Sequence, residues 1–508
     1  MRTAPAQGWN GTAVVFLSNA CIMVLELAIG RIVAPYVGTS LYPWTLVIGV
    51  VLAGISVGNF LGGRLADRWA SPRLLGSMFV LSGLASLGIL AMDVMESFTS
   101  MAGITKETLP TIVLLASFAA TLCFVPCVLF GTISPIVAKL AVNDLDQAGR
   151  VVGRIYAAGA IGSIVGTFAA GFLLLSWLGA HIVIWSVAAL FLLLSLPLLL
   201  QRRRLWIVLS ALLIAGASWL ASVRGWLDGP CTSESNYFCI IVRDEQINGR
   251  PVRTLILDRL IHSYSSLDDP TALVYGYEQS YAEATAYQAE RHAQPLRALF
   301  VGGGGYTFPR YMEAVYPDSK LDVVEIDPGV TETAHDMLGL RRDTHIVTYN
   351  EDARTFLGRD PTGTYHLVFG DAFNDYSVPY HLTTREFNDR VRARLSADGL
   401  YVVNIIDGPW GRFLRAYIHT LRQTFPHVYP AFSVDSWRQS TRSTIVILAS
   451  DTPLDMDALQ HSAPQIASQI LSMEETDALL DEGRAVVLTD RYAPVDQLLF
   501  PVFVDQLR

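Results

Sequence analysis

The sequence predicts an α-helical transmembrane bundle of about seven spans, followed by an α/β domain with a doubly wound, mainly parallel sheet. The chain has 508 residues, of which 51% are hydrophobic and 16% charged, whereas soluble proteins carry about 25% charged residues. Residues 1–223 hold 7 acidic and 12 basic side chains, and residues 224–508 hold 39 and 25. Strand-like and helix-like runs alternate in the second part. This composition excludes disordered, collagen-like and small disulfide-rich proteins.

The predicted spans are apolar runs long enough to cross a bilayer. About 20 residues are needed, because a helix rises 1.5 Å per residue through ~30 Å of hydrocarbon. Such runs lie near 12–36, 41–63, 74–92, 109–138, 154–177, 180–200 and 205–223. Residues 155–201 contain no Asp, Glu, Lys or Arg, and we expect a break at 177–180. Seven runs of this length argue against a buried soluble core.

Basic residues predict the orientation of the bundle, because cytoplasmic loops are enriched in Lys and Arg. Alternate loops carry Arg64, Arg68 and Arg73, then Lys139, Arg150 and Arg154, then Arg202, Arg203 and Arg204. This indicates a multi-pass protein of the cell (inner) membrane with a cytoplasmic N-terminus. Seven crossings place the domain from residue 224 onward outside the cytoplasm, whereas one crossing fewer returns it to the cytoplasm.

Two residue pairs near the spans have two interpretations each. Cys231 and Cys239 bracket a short segment and are either a disulfide of an oxidising compartment or two unrelated thiols. Glu26 and Arg31 lie within the first span. They are either a helix-packing pair or part of a polar path, because charges in hydrocarbon usually face a partner or a cavity.

The sequence pattern of the second part predicts a β-rich region at 224–295 and a doubly wound domain at 296–508. Runs 237–243 and 253–258 flank Asn248-Gly249, which predicts a hairpin. A helix near 271–290 follows. Strands at 299–301, 321–324, 345–349, 366–369 and 400–405 then alternate with helices near 308–315, 329–338 and 384–395, which is typical of a parallel sheet. We expect 444–448 to be a late edge strand and 455–508 a helical cap.

Small and acidic residues follow four consecutive predicted strands. Ligands of such sheets bind at the carboxyl ends of the strands. Glycines there allow close approach of a ligand, and an acid about 20 residues further on can accept ribose hydroxyls. The sequence therefore predicts a nucleoside site built from Gly302, Gly303, Gly304, Glu325, Asp352 and Asp371.

The excess of acidic residues in the second part limits the kinds of partner that this part can bind. It argues against nucleic acid, whose phosphates attract basic surfaces, and it suits a cationic small molecule. The ten histidines form no ligand-spaced cluster with Cys or carboxylates, so no metal site is predicted.

These motifs resemble the spermidine synthase family of aminopropyltransferases, a branch of the S-adenosylmethionine methyltransferase-like fold, over about residues 235–450. The whole chain is similar to the bacterial membrane-fused version, in which a major facilitator-like bundle precedes the synthase domain. The matching segments are Leu257-Asp258, the glycine run, Val324-Glu325-Ile326-Asp327, Asp352 and Asp371. The resemblance implies a Rossmann-like, methyltransferase-type domain in which Glu325 binds ribose, Asp352 and Ala353 bind adenine, and Asp371 lies at the reacting end.

The resemblance also implies a reaction and its partners. The family transfers an aminopropyl group from decarboxylated S-adenosylmethionine to a polyamine such as putrescine, giving spermidine and methylthioadenosine, without a metal. Asp371 would hold the acceptor ammonium and then accept its proton. The implied substrate-binding residues are His262, Glu278, Asp375 and Tyr376. The implied partners are a polycation, the lipid bilayer and a second copy of the chain in a homo-oligomer.

Three positions depart from the family pattern. Gly305 stands where the family typically has an Asp for the transferred amine, His262 where it has a Gln, and Tyr277 where it has a His. Two alternatives therefore stay open. One is a related transferase that uses S-adenosylmethionine on a membrane-borne or lipid acceptor. The other is a polyamine or lipid transporter whose C-terminal domain binds ligand without catalysis.

Overall fold

The computed structural model describes residues 10–37, 41–90, 109–142, 145–200, 204–225, 229–292, 295–359, 363–374, 378–432, 437–462 and 469–505. The chain divides into two compact units, Met1–Asn236 and Tyr237–Arg508. Each unit has its own hydrophobic core.

The first unit is helical. Its helices are α1 (Gly11–Val37), α2 (Leu41–Trp69), α3 (Pro72–Gly88), α4 (Leu109–Gly131), α5 (Ile133–Ala141), α6 (Ala148–Ala169), α7 (Leu175–Leu200) and α8 (Arg204–Val223). A π-helical turn at Ala170–Leu174 joins α6 to α7, and a two-residue strand, β1, lies at Ser233–Glu234.

Five segments of the described chain are long and apolar enough to cross a membrane, compared with about seven in the sequence-based prediction. They are Gly11–Ala34, Trp44–Trp69, Ala120–Ala141, Ala148–Leu200 and Trp206–Val223. The fourth has 53 residues, and Gly179 within it has the non-helical dihedrals φ 75° and ψ 164°, at the position where the sequence predicts a break. Helix α3 has 17 residues, which is fewer than the ~20 that a membrane span needs. The count of seven crossings stays a prediction.

Glycines bring the helices of the first unit into close contact. A Cβ at Gly58 of α2 would lie 2.1 Å from the carbonyl oxygen of Val128, and a Cβ at Gly162 of α6 would lie 2.1 Å from that of Phe16. Small residues permit such backbone contacts between membrane helices. Phe172 and Trp177 are 73% and 79% exposed, which is the surface expected to face lipid.

The structure shows partners for Arg31 and for the two cysteines that the sequence left with two interpretations. Arg31 donates a hydrogen bond to the carbonyl oxygen of Asn236. Cys231 and Cys239 are disulfide-bonded.

The second unit begins with an antiparallel meander of β2 (Cys239–Ile247), β3 (Arg250–Leu257) and β4 (Leu260–Ser265). Strands β2 and β3 meet at the pair Ile247 and Arg250. The two residues between them, Asn248 and Gly249, have φ values of 52° and 76°. Positive φ at both central residues is the requirement of a type I′ turn, for which Asn-Gly is favoured.

An eight-stranded sheet forms the centre of this unit. Its strands are β5 (Arg297–Val301), β6 (Lys320–Val324), β7 (Val347–Tyr349), β8 (Tyr365–Gly370), β9 (Leu395–Asp407), β10 (His427–Phe432), β11 (Ser443–Ser450) and β12 (Gln469–Ile470). Their order is β12-β10-β11-β9-β8-β5-β6-β7. Strands β5 to β9 pair in parallel, and β10, β11 and β12 are antiparallel.

The edge-strand prediction for 444–448 is wrong. Strand β11 lies between β9 and β10, and its continuous apolar run is buried on both faces, as an inner strand requires. Strand β10 was not predicted from the sequence. It contains Pro430 opposite Ile447. Proline is unusual within a sheet because it cannot donate to the ladder.

Helices cover both faces of the sheet. They are α9 (Gly276–Arg291), α10 (Thr307–Val315), α11 (Pro328–Met337), α12 (Ala353–Leu357), α13 (Arg385–Arg392), α14 (Arg412–Leu421), α15 (Met456–Ser462), α16 (Met473–Asp481) and α17 (Val495–Asp505). One apolar cluster includes Phe413 and Leu414, and the other includes Tyr281 and Phe300. The sheet is therefore doubly wound, and its parallel strands end at one common edge.

Candidate functional site

A cavity opens at the carboxyl ends of β5, β8 and β9. Strand β4, the start of α9 and the glycine loop after β5 complete its walls. Several lining residues have ionisable or hydrogen-bonding side chains, including His262, Ser263, Tyr275, Tyr277, Glu278, Tyr281, Asp371 and Asn404. The cavity therefore combines carboxylates, an amide and several phenols at the edge where the sequence predicts ligand binding.

Asp371 is positioned directly after β8. Its backbone N–H donates to the carbonyl oxygen of Val301 at 2.8 Å, and its Oδ1 accepts a hydrogen bond from Asn404 Nδ2 at 2.8 Å. Burial raises the pKa of Asp371 to about 6, against the opposing effect of Asn404, Tyr277 and Tyr281. Tyr281 Oη itself makes no hydrogen bond of standard geometry within the described structure. A carboxyl with this pKa is largely ionised at pH 7 and can still take up a proton.

Glu278, in the first turn of α9, is a second carboxyl in the same cavity. It is 2% exposed, and its Oε2 has no hydrogen-bond partner among the residues that the structure describes. Burial, followed by the charge of Asp371, raises the pKa of Glu278 well above its ordinary value. Two buried carboxyls that line the same cavity and interact electrostatically favour a shared negative charge over two separate ones.

Three tyrosines line one wall beside these carboxyls. The rings of Tyr275 and Tyr277 lie 4.9 Å apart, and those of Tyr277 and Tyr281 lie 5.3 Å apart, in edge-on contacts. Burial raises the pKa of Tyr277 and Tyr281 well above the usual value, so both phenols stay neutral. Neutral aromatic faces next to carboxylates are suited to a cation with an aliphatic chain.

His262 and Gly305 also line the cavity. Burial lowers the pKa of His262 to about 4, so its imidazole is neutral, and its Nε2 has no partner within the described residues. A Cβ at Gly305 would lie 1.9 Å from Ser263 Oγ and 2.8 Å from Ser263 Cβ. The space of a longer side chain at position 305 is therefore filled by Ser263.

The glycine loop is tied to Glu325, which follows β6. Gly302 has φ 101°, and a Cβ there would lie 2.4 Å from the carbonyl oxygen of Asp371. Glu325 Oε2 accepts hydrogen bonds from the N–H groups of Gly303, at 2.8 Å, and Gly304, at 3.3 Å. Burial raises the pKa of Glu325 against the effect of these hydrogen bonds. The predicted ribose-binding acid thus also holds the loop in place.

Asp352 and Ala353 lie at the next strand end rather than in the cavity lining. Asp352 caps α12, because its Oδ1 accepts from Thr355 N at 2.9 Å, and its Oδ2 lies 3.1 Å from His381 Nε2. Burial acts to raise the pKa of Asp352, but these hydrogen bonds outweigh it and the pKa is lowered. Ala353, the first residue of α12, is buried.

The structure thus brings part of the predicted set together. His262, Glu278, Asp371 and the three glycines share one cavity, and Glu325 contacts the glycine loop. Asp375 and Tyr376 lie outside the described residues. Within the described part of the chain, no group of three or more His, Cys, Asp or Glu side chains is arranged to hold a metal ion.

Several residues of the cavity were not predicted from the sequence, among them Asn404 and Tyr281. Asn404 is a lone polar residue within the apolar run of β9, and Tyr281 follows Tyr277 by one helical turn. A polar residue inside a buried strand was the available signal, because buried polar groups require a partner.

The parallel sheet, the glycine loop and the acids at its carboxyl edge define a Rossmann-like domain of the methyltransferase type. A polyamine aminopropyltransferase of Vibrio vulnificus is 29% identical over 219 residues, which cover 40% of this chain and 70% of the relative. One of Corynebacterium efficiens is 27% identical over 426 residues, 78% of this chain and 76% of the relative, so that match extends into the first unit. The chain is thus a relative of the polyamine aminopropyltransferases, a family of transferase enzymes.

Among solved structures, a probable spermidine synthase from Corynebacterium glutamicum aligns with part of this chain. It covers 52% of this chain and 97% of its own, with a TM-score of 0.46 and 21% identity. No protein-family model matches the sequence.

Proposed function

We propose that the second unit transfers an aminopropyl group from decarboxylated S-adenosylmethionine to a polyamine such as putrescine, giving spermidine and methylthioadenosine. The observation that carries this proposal is the cavity in which Asp371, held by Asn404, lies beside Glu278 and a wall of tyrosines. The relatives named polyamine aminopropyltransferase support the same reaction.

The main chemical task of the site is to supply a neutral amine. With an amine pKa near ~10.4, deprotonation at pH 7 costs roughly 4.6 kcal/mol. The acceptor arrives as an ammonium ion, which the acidic end of the cavity attracts. Asp371 takes one proton, and the nitrogen lone pair then attacks the carbon bonded to the sulfonium. A C–N bond forms, the C–S bond breaks, and its electron pair stays on sulfur as a neutral thioether.

The nucleoside half of the donor is proposed to bind along the strand ends beside the cavity. Glu325 would accept hydrogen bonds from the ribose hydroxyls in addition to those from the N–H groups of the glycine loop. Asp352 and Ala353 would contact adenine, and Gly302, Gly303 and Gly304 would let the donor approach the backbone.

The first unit is proposed to span the cell (inner) membrane with its N-terminus in the cytoplasm. The disulfide-bonded state of Cys231 and Cys239 supports an extracytoplasmic second unit, because disulfides persist in oxidising compartments. The apolar helices in the same chain also favour a second candidate function, transfer to a membrane-borne amine.

Amine-dependent formation of methylthioadenosine by the purified full-length protein tests these proposals. We expect product with putrescine and decarboxylated S-adenosylmethionine. Product formed only when lipid vesicles bearing amine headgroups replace putrescine would favour the second candidate. Absence of product with every acceptor, together with ligand-driven polyamine uptake into proteoliposomes, would instead support a transporter with a non-catalytic domain.

A further inference from the structure

The carboxylate of Asp352 has one acceptor position that no described residue occupies. Its Oδ1 accepts hydrogen bonds from Thr355 N, at 2.9 Å, and Thr355 Oγ1, at 3.2 Å, and its Oδ2 is paired with His381 Nε2 at 3.1 Å. An ionised carboxylate can accept about four hydrogen bonds. Although burial acts to raise the pKa of Asp352, these hydrogen bonds lower it. The side chain is 32% exposed, so a ligand can reach the position that is left on Oδ2.

His381 determines where this position points. Because the ionised carboxylate only accepts hydrogen bonds, the imidazole must donate through its Nε2–H. With Oδ1 held by the first turn of α12 and Oδ2 held by His381, the carboxylate of Asp352 cannot rotate without losing a hydrogen bond. The remaining acceptor position therefore has a fixed direction.

A second contact fixes His381 itself. The residue lies in the short 3₁₀ turn Tyr380–Leu382, and its carbonyl oxygen accepts a hydrogen bond from Arg354 Nη1 at 2.7 Å. Arg354 belongs to α12, the helix that Asp352 caps. The turn and the helix are thus joined at two points, once through the imidazole and once through the backbone.

The C-terminal segment supports this arrangement. Asp490 forms an ion pair with Arg354 and accepts a hydrogen bond from Thr384 Oγ1 at 2.8 Å. It lies beyond residue 450, where the resemblance to the synthase family ends. A residue outside the common fold thus contributes to the surroundings of Asp352.

We propose that His381 is a positioning residue that makes the nucleoside site select a base with an exocyclic amino group over one with an oxo group. By fixing Asp352, it presents a single directed acceptor to the base. A 6-amino purine brings an N–H group to this acceptor, whereas a 6-oxo purine brings an oxygen, and two facing acceptors repel each other. This inference rests on the proposed nucleoside site and names the residue that sets its base specificity.

The test compares the affinities of the full-length protein for methylthioadenosine and methylthioinosine, in which an oxo group replaces the amino group. We expect calorimetry on the wild type to show a preference for methylthioadenosine of about 100-fold or more. In His381→Phe, which keeps a ring but has no N–H, this preference should fall by about tenfold. His381→Gln carries an amide that can donate from nearly the same place as Nε2, and it should restore the preference to within about threefold of wild type.

Enzyme kinetics separate positioning of the donor from catalysis. His381 is not among the residues that line the cavity of Asp371, so His381→Phe should raise KM for decarboxylated S-adenosylmethionine with little change in kcat. His335→Phe is the matched control, because His335 is another partly buried histidine of this unit, whose Nδ1 lies 3.0 Å from the carbonyl oxygen of Leu340. It should leave the base preference unchanged.

An unchanged base preference in folded His381→Phe overturns this inference alone, and so does a loss that His381→Gln does not reverse. If His381→Phe does not fold, Asp490→Asn replaces it. This variant weakens the support of Arg354 and should lower the preference by about threefold, and no change there would count against His381 in the same way. A wild-type protein that binds neither nucleoside overturns the proposed nucleoside site instead.

Discussion

Replacing Asp371 by Asn should lower turnover and raise stability together. The substitution keeps the size of the side chain and leaves an oxygen to accept from Asn404 Nδ2, but it removes the base. General-base catalysis typically contributes 10²–10⁴-fold, so we expect kcat to fall by about that factor. The affinity for methylthioadenosine should change little, because Glu325 and the glycine loop are untouched.

The stability gain follows from the buried charge of Asp371. Its pKa rises from 3.8 to about 6 in the folded protein. Folding therefore disfavours the ionised form of Asp371 by about 3 kcal/mol. The pKa of Asp371 is higher in the folded than in the unfolded protein. The wild type is therefore most stable below about pH 4, and it loses this part of its stability as the pH rises through 6. Asp371→Asn avoids this loss. Its Tm should therefore exceed that of wild type at pH 7.5 by about 5–10 °C, and the difference should vanish near pH 4.

Three measurements check this prediction: methylthioadenosine formation, calorimetric binding of methylthioadenosine, and thermal unfolding at the two pH values. Asp343→Asn serves as a matched control, because Asp343 is exposed and pairs with Arg341, and such surface pairs contribute little. Turnover within threefold of wild type would show that Asp371 is not the base. A lower Tm at pH 7.5 would show that its buried charge does not destabilise the folded protein.

Three further predictions concern the loop, the donor side and the membrane. Gly305→Ala should destabilise the protein by about 1–3 kcal/mol in denaturant unfolding, because its Cβ would clash with Ser263 Oγ at 1.9 Å; an unchanged midpoint would contradict this packing. Glu325→Gln should weaken methylthioadenosine binding by about tenfold or more, because the single amide oxygen cannot accept from Gly303, Gly304 and a ribose together; unchanged calorimetric affinity would exclude a ribose contact. A reporter fused after the last residue should be active only outside the cytoplasm, and cytoplasmic activity would mean an even number of crossings.

The sequence was most informative where chemistry is local. Strand ends after Val301 and Val324 lie where predicted, because short buried strands are bounded by glycines and acids. Asp371 was predicted to lie at a strand end, and the structure places it directly after β8. The break at Gly179 could be predicted from the length of the uncharged run.

Other features depend on residues far apart in the chain. The position of β11 between β9 and β10 could not be predicted, because its apolar run fits any buried strand. The importance of Asn404 appears only once β8 and β9 are neighbours, since its partner Asp371 is 33 residues away. The departure at Gly305 could be seen in the sequence, but the residue that fills the space beside it could not, because Ser263 comes from the distant strand β4.

Periodicity and charge, read along the chain, therefore determined the helical first part, the parallel α/β second part and the acids at its strand ends. Each of these follows from interactions between near neighbours or with solvent and lipid. The order of the strands, the shared burial of Glu278 and Asp371 and the contact of His381 with Asp352 were decided by tertiary structure alone. Burial and hydrogen bonding depend on which distant segments pack together, and no local pattern encodes that choice.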